Sequence, residues 1–176
     1  MAGYIQLNKG FLEKARLFLD NTSILTDIAA QQVEMLNRSE IEAIIPHREP
    51  FLLIDRVLEY VPGEFAVAEK DILATDDVFR GHFPGHPVFP GVLVLEALAQ
   101  AGAVAVLSDP KNQGKIALFA GVDNVRWKRQ VVPGDVLRLE LRMTESRGPI
   151  GKGQGKAFVG SQLACSGTLT FAVADR

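Results

Sequence analysis

The sequence predicts an α+β domain in which an antiparallel sheet wraps one long apolar helix. Three observations carry this prediction. Between Pro90 and Ser108 the run VLVLEALAQAGAVAVL holds a single charge, Glu96, and a helix apolar on every side is one that is buried all round. Strand-like runs lie both before and after it. The later strands are separated by Gly- and Pro-containing turns rather than by helices, which is how antiparallel strands are joined.

Taken in order, the elements begin with an extension. Residues 1–34 precede Met35, where the domain, 35–176, is expected to start. Phe11, Ala15, Phe18 and Leu19 recur at helical spacing, so a short amphipathic helix of unassigned function is expected there. Lys9, Glu13, Lys14 and Arg16 interrupt its apolar residues, so it does not read as a signal peptide. Ser39 followed by Glu42 resembles a helix opening, and Pro46 closes that helix within two turns. FLLIDRVLEYV is the first strand, ended by Pro62-Gly63, and EFAVAEKDI pairs with it as a hairpin. An irregular stretch from Ala74 to Pro90 leads into the buried helix. KIALFAGVDNVRWKRQV then forms a strand that ends at Pro133-Gly134-Asp135. In VLRLELRMTE, Leu137, Leu139, Leu141 and Met143 alternate with polar residues, the period of a half-buried strand. RGPIGKGQG reads as a glycine-rich hairpin loop, and KAFVGSQLACSGTLTFAVA completes the sheet. One sheet covers only part of such a helix, so a second copy of the chain is expected to cover the rest.

Composition narrows the function classes. The chain has 176 residues, 47% of them apolar, and a net charge of −2, which gives no reason to expect nucleic acid or an anionic membrane as partner. Val92 to Leu107 spans roughly 24 Å as a helix and contains Glu96 and Gln100, too short and too polar to cross a bilayer. Cys165 is the single cysteine, so no disulfide forms within the chain and a reducing, cytoplasmic location is expected.

The chemistry centres on Glu96 and on His82, which lies in HFPGHPVFPG just before the helix. A carboxylate on a buried helix is costly to keep ionised, so its pKa is expected to rise until it holds a proton near neutrality. Histidine exchanges protons in the same range. Together they suggest an acid and a base for proton transfer. Taken singly, a histidine in an irregular loop is more often structural, and a glutamate more often caps a backbone group or pairs with an arginine. His86 is spaced from His82 by a non-helical Phe-Pro-Gly, and no further ligand cluster accompanies them, so no metal is expected. Arg126, Trp127, Lys128 and Arg129 form a basic cluster, readable either as a docking patch or as a solvated strand edge. Gly148, Gly151, Gly153 and Gly155 lack the Lys-Ser/Thr of a phosphate loop.

GHFPGHPVFPGVLVLEALAQ (81–100) resembles the signature of the 3-hydroxyacyl-[acyl-carrier-protein] dehydratases of dissociated fatty-acid synthesis, and PHREPFLLIDRV (46–57) and FAGVDNVRWKRQVVPGD (119–135) resemble two further blocks of that family. The resemblance implies the hot-dog fold, a homo-oligomer built from dimers (typically three) and active sites shared between subunits. It implies His82 as the base and Glu96 as the acid, with no cofactor and no metal. Gly91, at the helix start, offers its N–H to the thioester oxygen. Phe83, through its N–H or ring, and Val88, Phe89 and Val92 would line the acyl tunnel. An acyl carrier protein would deliver the substrate, with Arg126, Lys128 and Arg129 as its docking residues. A related branch that also isomerises the double bond carries Asp where this chain has Glu96, so dehydration alone is expected. A hot-dog thioesterase and a non-catalytic acyl-binding regulator are the alternatives, and the presence of both His82 and Glu96 counts against the second.

Overall fold

The structure is a computed structural model and describes residues 35–176; the expected extension and its helix lie outside the described residues. Helix α1 (Arg38–Ile44) is followed by strands β1 (Arg56–Val61) and β2 (Phe65–Asp71), the long helix α2 (Gly91–Leu107), and strands β3 (Ile116–Trp127), β4 (Val136–Arg147), β5 (Ile150–Val159) and β6 (Gln162–Ala174). The six strands form one antiparallel sheet in the order β1-β2-β4-β5-β6-β3. The sheet curls around α2, which is the hot-dog arrangement.

Helix α2 is the core. From Val94 to Leu107 every residue except Glu96 is buried. The chain's own layers therefore cover more of the helix than the sequence leads one to expect. What stays uncovered is its first turn, where Val92 is 67% exposed, and the edge strand β3, where Leu118, Phe119, Val122 and Trp127 are all exposed.

The sheet follows the sequence pattern closely in β4, whose Leu137, Leu139 and Leu141 are buried. It departs from expectation in β5. The glycine-rich stretch is a strand rather than a loop, and only Gly148 and Pro149 make the turn. Gly151, Gly153, Gly155 and Ala157 alternate toward the helix, and the reason is steric. A Cβ on Gly153 would stand 2.8 Å from Leu141 Cδ2, and one on Gly155 would stand 3.0 Å from Leu169 Cδ1 and 3.3 Å from Leu98 Cδ1. Large side chains on α2, β4 and β6 fill the space that β5 leaves. Gly102, on α2 itself, is the counterpart: its missing Cβ makes room for the Phe171 ring and for Leu141.

Two smaller differences concern the N-terminal part. Helix α1 is capped by Asn37, which accepts from the N–H groups of Ser39 and Glu40, while Glu40 returns a bond to the Asn37 N–H. This capping box lies two residues upstream of the one read from Ser39 and Glu42. The first strand begins only at Arg56. Phe51 to Asp55 are instead led across α2, with Leu52, Leu53 and Ile54 buried, because a side chain of that helix takes their backbone groups as described below.

Gly102→Leu is expected to destabilise the protein by about 1–3 kcal/mol or more through overpacking against Phe171 and Leu141. Urea unfolding at matched protein concentration, beside Ala101→Gly as a cavity-forming control, measures it.

Candidate active site

The segment before α2 holds His82 in one orientation. Phe83 to His86 make a tight turn in which the His86 N–H donates to the Phe83 carbonyl at 2.9 Å and the Phe83 N–H donates back at 3.2 Å. Gly85 occupies the left-handed position such a turn requires, at φ +76°. The turn brings Val88 under His82, whose Nδ1 lies 2.7 Å from the Val88 carbonyl oxygen. A carbonyl only accepts, so Nδ1 carries the hydrogen and Nε2 keeps its lone pair. That is the tautomer a general base requires. The Phe83 ring stacks on the imidazole with centroids 4.0 Å apart. Its N–H is committed to His86, so of the two roles considered for Phe83 only the ring remains.

Helix α2 starts beside this histidine. Its cap is Pro90, which has no side-chain bond to give, and the first N–H groups of a helix have no partner within it. Gly91 therefore presents a donor at the positive end of the helix. The Trp127 indole N–H donates to the Gly91 carbonyl at 3.0 Å, and a Cβ on Gly91 would stand 2.5 Å from that indole nitrogen. Only glycine allows this approach. A cleft of about 590 Å³ gathers His82, Val88, Phe89, Gly91, Val92 and Trp127 with Val131. It thus brings together the expected base, oxyanion donor and apolar lining, Phe83 excepted.

Glu96 lies elsewhere. It lines a second cavity of about 180 Å³ with His47, Ala99, Ala103, Leu118 and Phe119, and this cavity shares no residue with the first. Within one chain the two expected catalytic groups are not brought together. Gln100, one turn along α2, donates from Nε2 to Glu96 Oε1 at 2.9 Å and to the Phe51 carbonyl at 2.8 Å, while its Oε1 accepts from the Leu53 N–H at 2.8 Å. Gln100 is fully buried and fully bonded. His47 Nε2 stands 3.5 Å from the same Glu96 Oε1.

The expected rise in the Glu96 pKa is not what this environment produces. The His47 imidazole beside it holds the carboxyl below its ordinary range, burial pushes the other way, and Gln100 adds to the lowering. The apolar neighbours on the helix are visible in the sequence, whereas the polar group supplied across the fold by His47 is not. His47 stood in the PHR triplet of a block already singled out, but nothing in local spacing linked it to a residue 49 positions away.

The basic cluster also divides. Arg129 makes a two-pronged pair with Asp135, at 2.6 and 3.1 Å, and bonds Gln162 and the Gln130 carbonyl. Arg129 holds Asp135 below the usual carboxylate range. Its guanidinium therefore braces the wall of the cleft. Arg126 is exposed and, among the described residues, its side chain bonds its neighbour's carbonyl, while Lys128 lines the cleft. Cys165 is buried, and burial pushes its thiol up to about 11, which disfavours the thiolate.

A FabA-like domain matches residues 45–168, the stretch that holds both halves of this site. The chain belongs to the FabA-like family. It is 60% identical over 137 residues to the 3-hydroxyacyl-[acyl-carrier-protein] dehydratase FabZ of Staphylococcus carnosus, covering 78% of this chain and 94% of that protein. It is also 60% identical over 139 residues to the enzyme of the same name from Roseiflexus castenholzii, covering 79% and 97%. Among solved structures, the dehydratase heterocomplex ApeI:P from Xenorhabdus doucetiae superposes with a TM-score of 0.64 at 18% identity, over 77% of this chain and 91% of that one. At that identity the likeness concerns the fold alone. His82, Gly91, Glu96 and His47 all fall inside the FabA-like region.

Gln100→Leu would leave the Phe51 carbonyl, the Leu53 N–H and one Glu96 oxygen without their partner. The Leu53 N–H is the buried group of the three, and stranding it is expected to cost about 1–3 kcal/mol in chemical denaturation. A loss below 1 kcal/mol would contradict the role given to Gln100.

Proposed function

We propose that this chain removes water from 3-hydroxyacyl thioesters on an acyl carrier protein to give trans-2-enoyl thioesters, with His82 as base and Glu96 as acid in a site completed by a second copy of the chain. Nearly the whole length of the dehydratases it resembles is matched at 60% identity. The observation that carries the chemistry is the 2.7 Å bond from His82 to the Val88 carbonyl, which leaves Nε2 bare beside an uncapped helix start.

The steps follow from these groups. Nε2 of His82 takes the proton from C2 of the acyl chain while negative charge builds on the thioester oxygen. The Gly91 N–H, at the positive end of α2, receives that charge. The bond from C3 to its hydroxyl then breaks, and the departing oxygen takes a proton from Glu96 and leaves as water. In the uncovered chain that carboxyl is held below its ordinary range. Covering it with the second copy and the acyl chain deepens its burial and shifts it back toward the protonated form this step uses. His82 is left protonated and Glu96 ionised, and solvent exchange restores both. Each proton transfer is worth about 10²- to 10⁴-fold in rate.

A second copy supplies what one chain lacks. Strand β3 is an edge of the sheet, and Leu118 and Phe119 on it line the Glu96 cavity while being exposed. An edge strand with exposed apolar side chains invites pairing with another strand. Pairing β3 with its copy in the partner would cover these residues and set the cleft of one subunit beside the Glu96 of the other. Further assembly into three dimers and a cytoplasmic location accord with the same reading. Arg126 and Lys128 remain as the attracting charges for an acidic carrier.

Incubation with a carrier-bound 3-hydroxyacyl thioester is expected to yield the enoyl product, read by mass, without release of free thiol. Free thiol without enoyl product would make it a thioesterase, and tight acyl binding without turnover a regulator. Glu96→Gln and His82→Ala should each fold normally and lose about two orders of magnitude or more in turnover. Mixing the two inactive variants should restore part of the activity. Absence of recovery despite proven subunit exchange would place the acid and the base in one subunit.

A further inference from the structure

We infer that His47 is a positioning residue for Glu96: with Gln100 it occupies one carboxyl oxygen, Oε1, so that the other, Oε2, is the atom presented to the substrate hydroxyl. This rests on the reading of Glu96 as the acid.

The segment that carries His47 is held on both sides. The Arg48 guanidinium donates to the carbonyls of Glu42, Ile45 and His47, at 2.9, 3.0 and 2.7 Å, and so fixes the turn that leaves α1. Gln100 then fixes Phe51 and Leu53 from the other direction. Between these anchors the imidazole points at Glu96. Its Nδ1 is buried with no hydrogen-bond partner, so a hydrogen there would be stranded. The hydrogen therefore sits on Nε2, the nitrogen 3.5 Å from Glu96 Oε1. His47 and His82 thus adopt opposite tautomers: one offers a donor and the other a lone pair.

Both donors are aimed at the same carboxyl oxygen. Gln100 Nε2 is 2.9 Å from Oε1, and His47 approaches that atom from across the cavity. Among the described residues, His47 is the one titratable group within ion-pair distance of Glu96, and the rest of the cavity is apolar, with Ala99, Ala103 and Phe119 in its wall. The consequence for the reaction is specific. When Oε2 gives its proton to the departing hydroxyl, a carboxylate forms, and donors already aimed at Oε1 stabilise it with little movement. A 3.5 Å contact is too long for a formed hydrogen bond, but it shortens as charge appears, the behaviour expected of catalytic contacts seen without substrate. His47 thereby acts more strongly on the transition state than on the resting enzyme.

Three variants test this in the full-length protein. His47→Phe keeps a ring and removes the donor, whereas His47→Gln restores an N–H near the place of Nε2. The Phe variant is expected to lose about tenfold or more in kcat with KM little changed, and the Gln variant to recover most of that loss. A purely packing role would reverse this order. A second readout is carbon-13 NMR of glutamate-labelled protein, with Glu96→Gln supplying the assignment. Loss of the donor removes what favours the carboxylate, so Glu96 should titrate at higher pH in the Phe variant than in wild type. If the Phe variant fails to fold, His47→Ala is measured in the same way, since the side chain is 23% exposed and tolerates truncation. A folded Phe or Ala variant with wild-type kcat and an unmoved Glu96 titration would overturn the role of His47. Wild-type turnover in Glu96→Gln would instead overturn the reading of Glu96 on which it rests.

Discussion

The structure depends on burying a helix that has no polar face. From Val94 to Leu107 helix α2 is enclosed, and Glu96 alone in that span is not buried. Enclosure on this scale needs the sheet to come very close, which explains the small residues where it does. Gly102 lets α2 approach Phe171 and Leu141, and the alternating glycines of β5 make room for Leu98, Leu141 and Leu169. The resulting core is rigid at the level of single methyl groups, and a rigid helix is what a pair of proton-transfer groups requires of its scaffold.

Two pieces of chemical equipment are mounted on that helix. Its first turn supplies uncapped N–H groups next to His82, and Glu96 follows five residues later, roughly 7.5 Å along the axis. The two face different cavities. On the function proposed above, one helix contributes an oxyanion donor to one site and an acid to another in a pair of chains. Each half is kept in order by neighbours that do no chemistry themselves. Val88 selects the tautomer of His82, Trp127 fixes the first peptide of α2, Arg129 and Asp135 brace the cleft wall, and Gln100 orients Glu96 while tying down Phe51 to Leu53.

Much of this was legible in the chain. The central helix, the half-buried β4 and the succession of strands along the chain follow from periodicity, because a buried apolar surface leaves its period in the sequence. The cleft residues His82, Gly91, Val88, Phe89 and Val92 were legible because they are close in sequence and belong to one motif. Failures arose where the deciding contact is distant. The glycines of β5 read as a loop because their partners, Leu141, Leu98 and Leu169, are set by strand register rather than by neighbours in the chain. The direction of the Glu96 shift was misread because His47 and Gln100 offset the burial that the apolar helix implied. Arg129 looked like free surface charge because Asp135 sits beyond a turn at Pro133-Gly134. Local pattern reports what a segment buries. It does not report which polar group arrives from across the fold.

A crystal structure of the assembled protein with a non-eliminating 3-hydroxyacyl thioester analogue bound would examine the shared site directly. C2 of the ligand is expected against His82 Nε2 of one subunit, with its 3-hydroxyl within hydrogen-bond reach of Glu96 Oε2 from the other. A ligand whose hydroxyl lies against any other group, with Glu96 of every subunit out of reach, would contradict it.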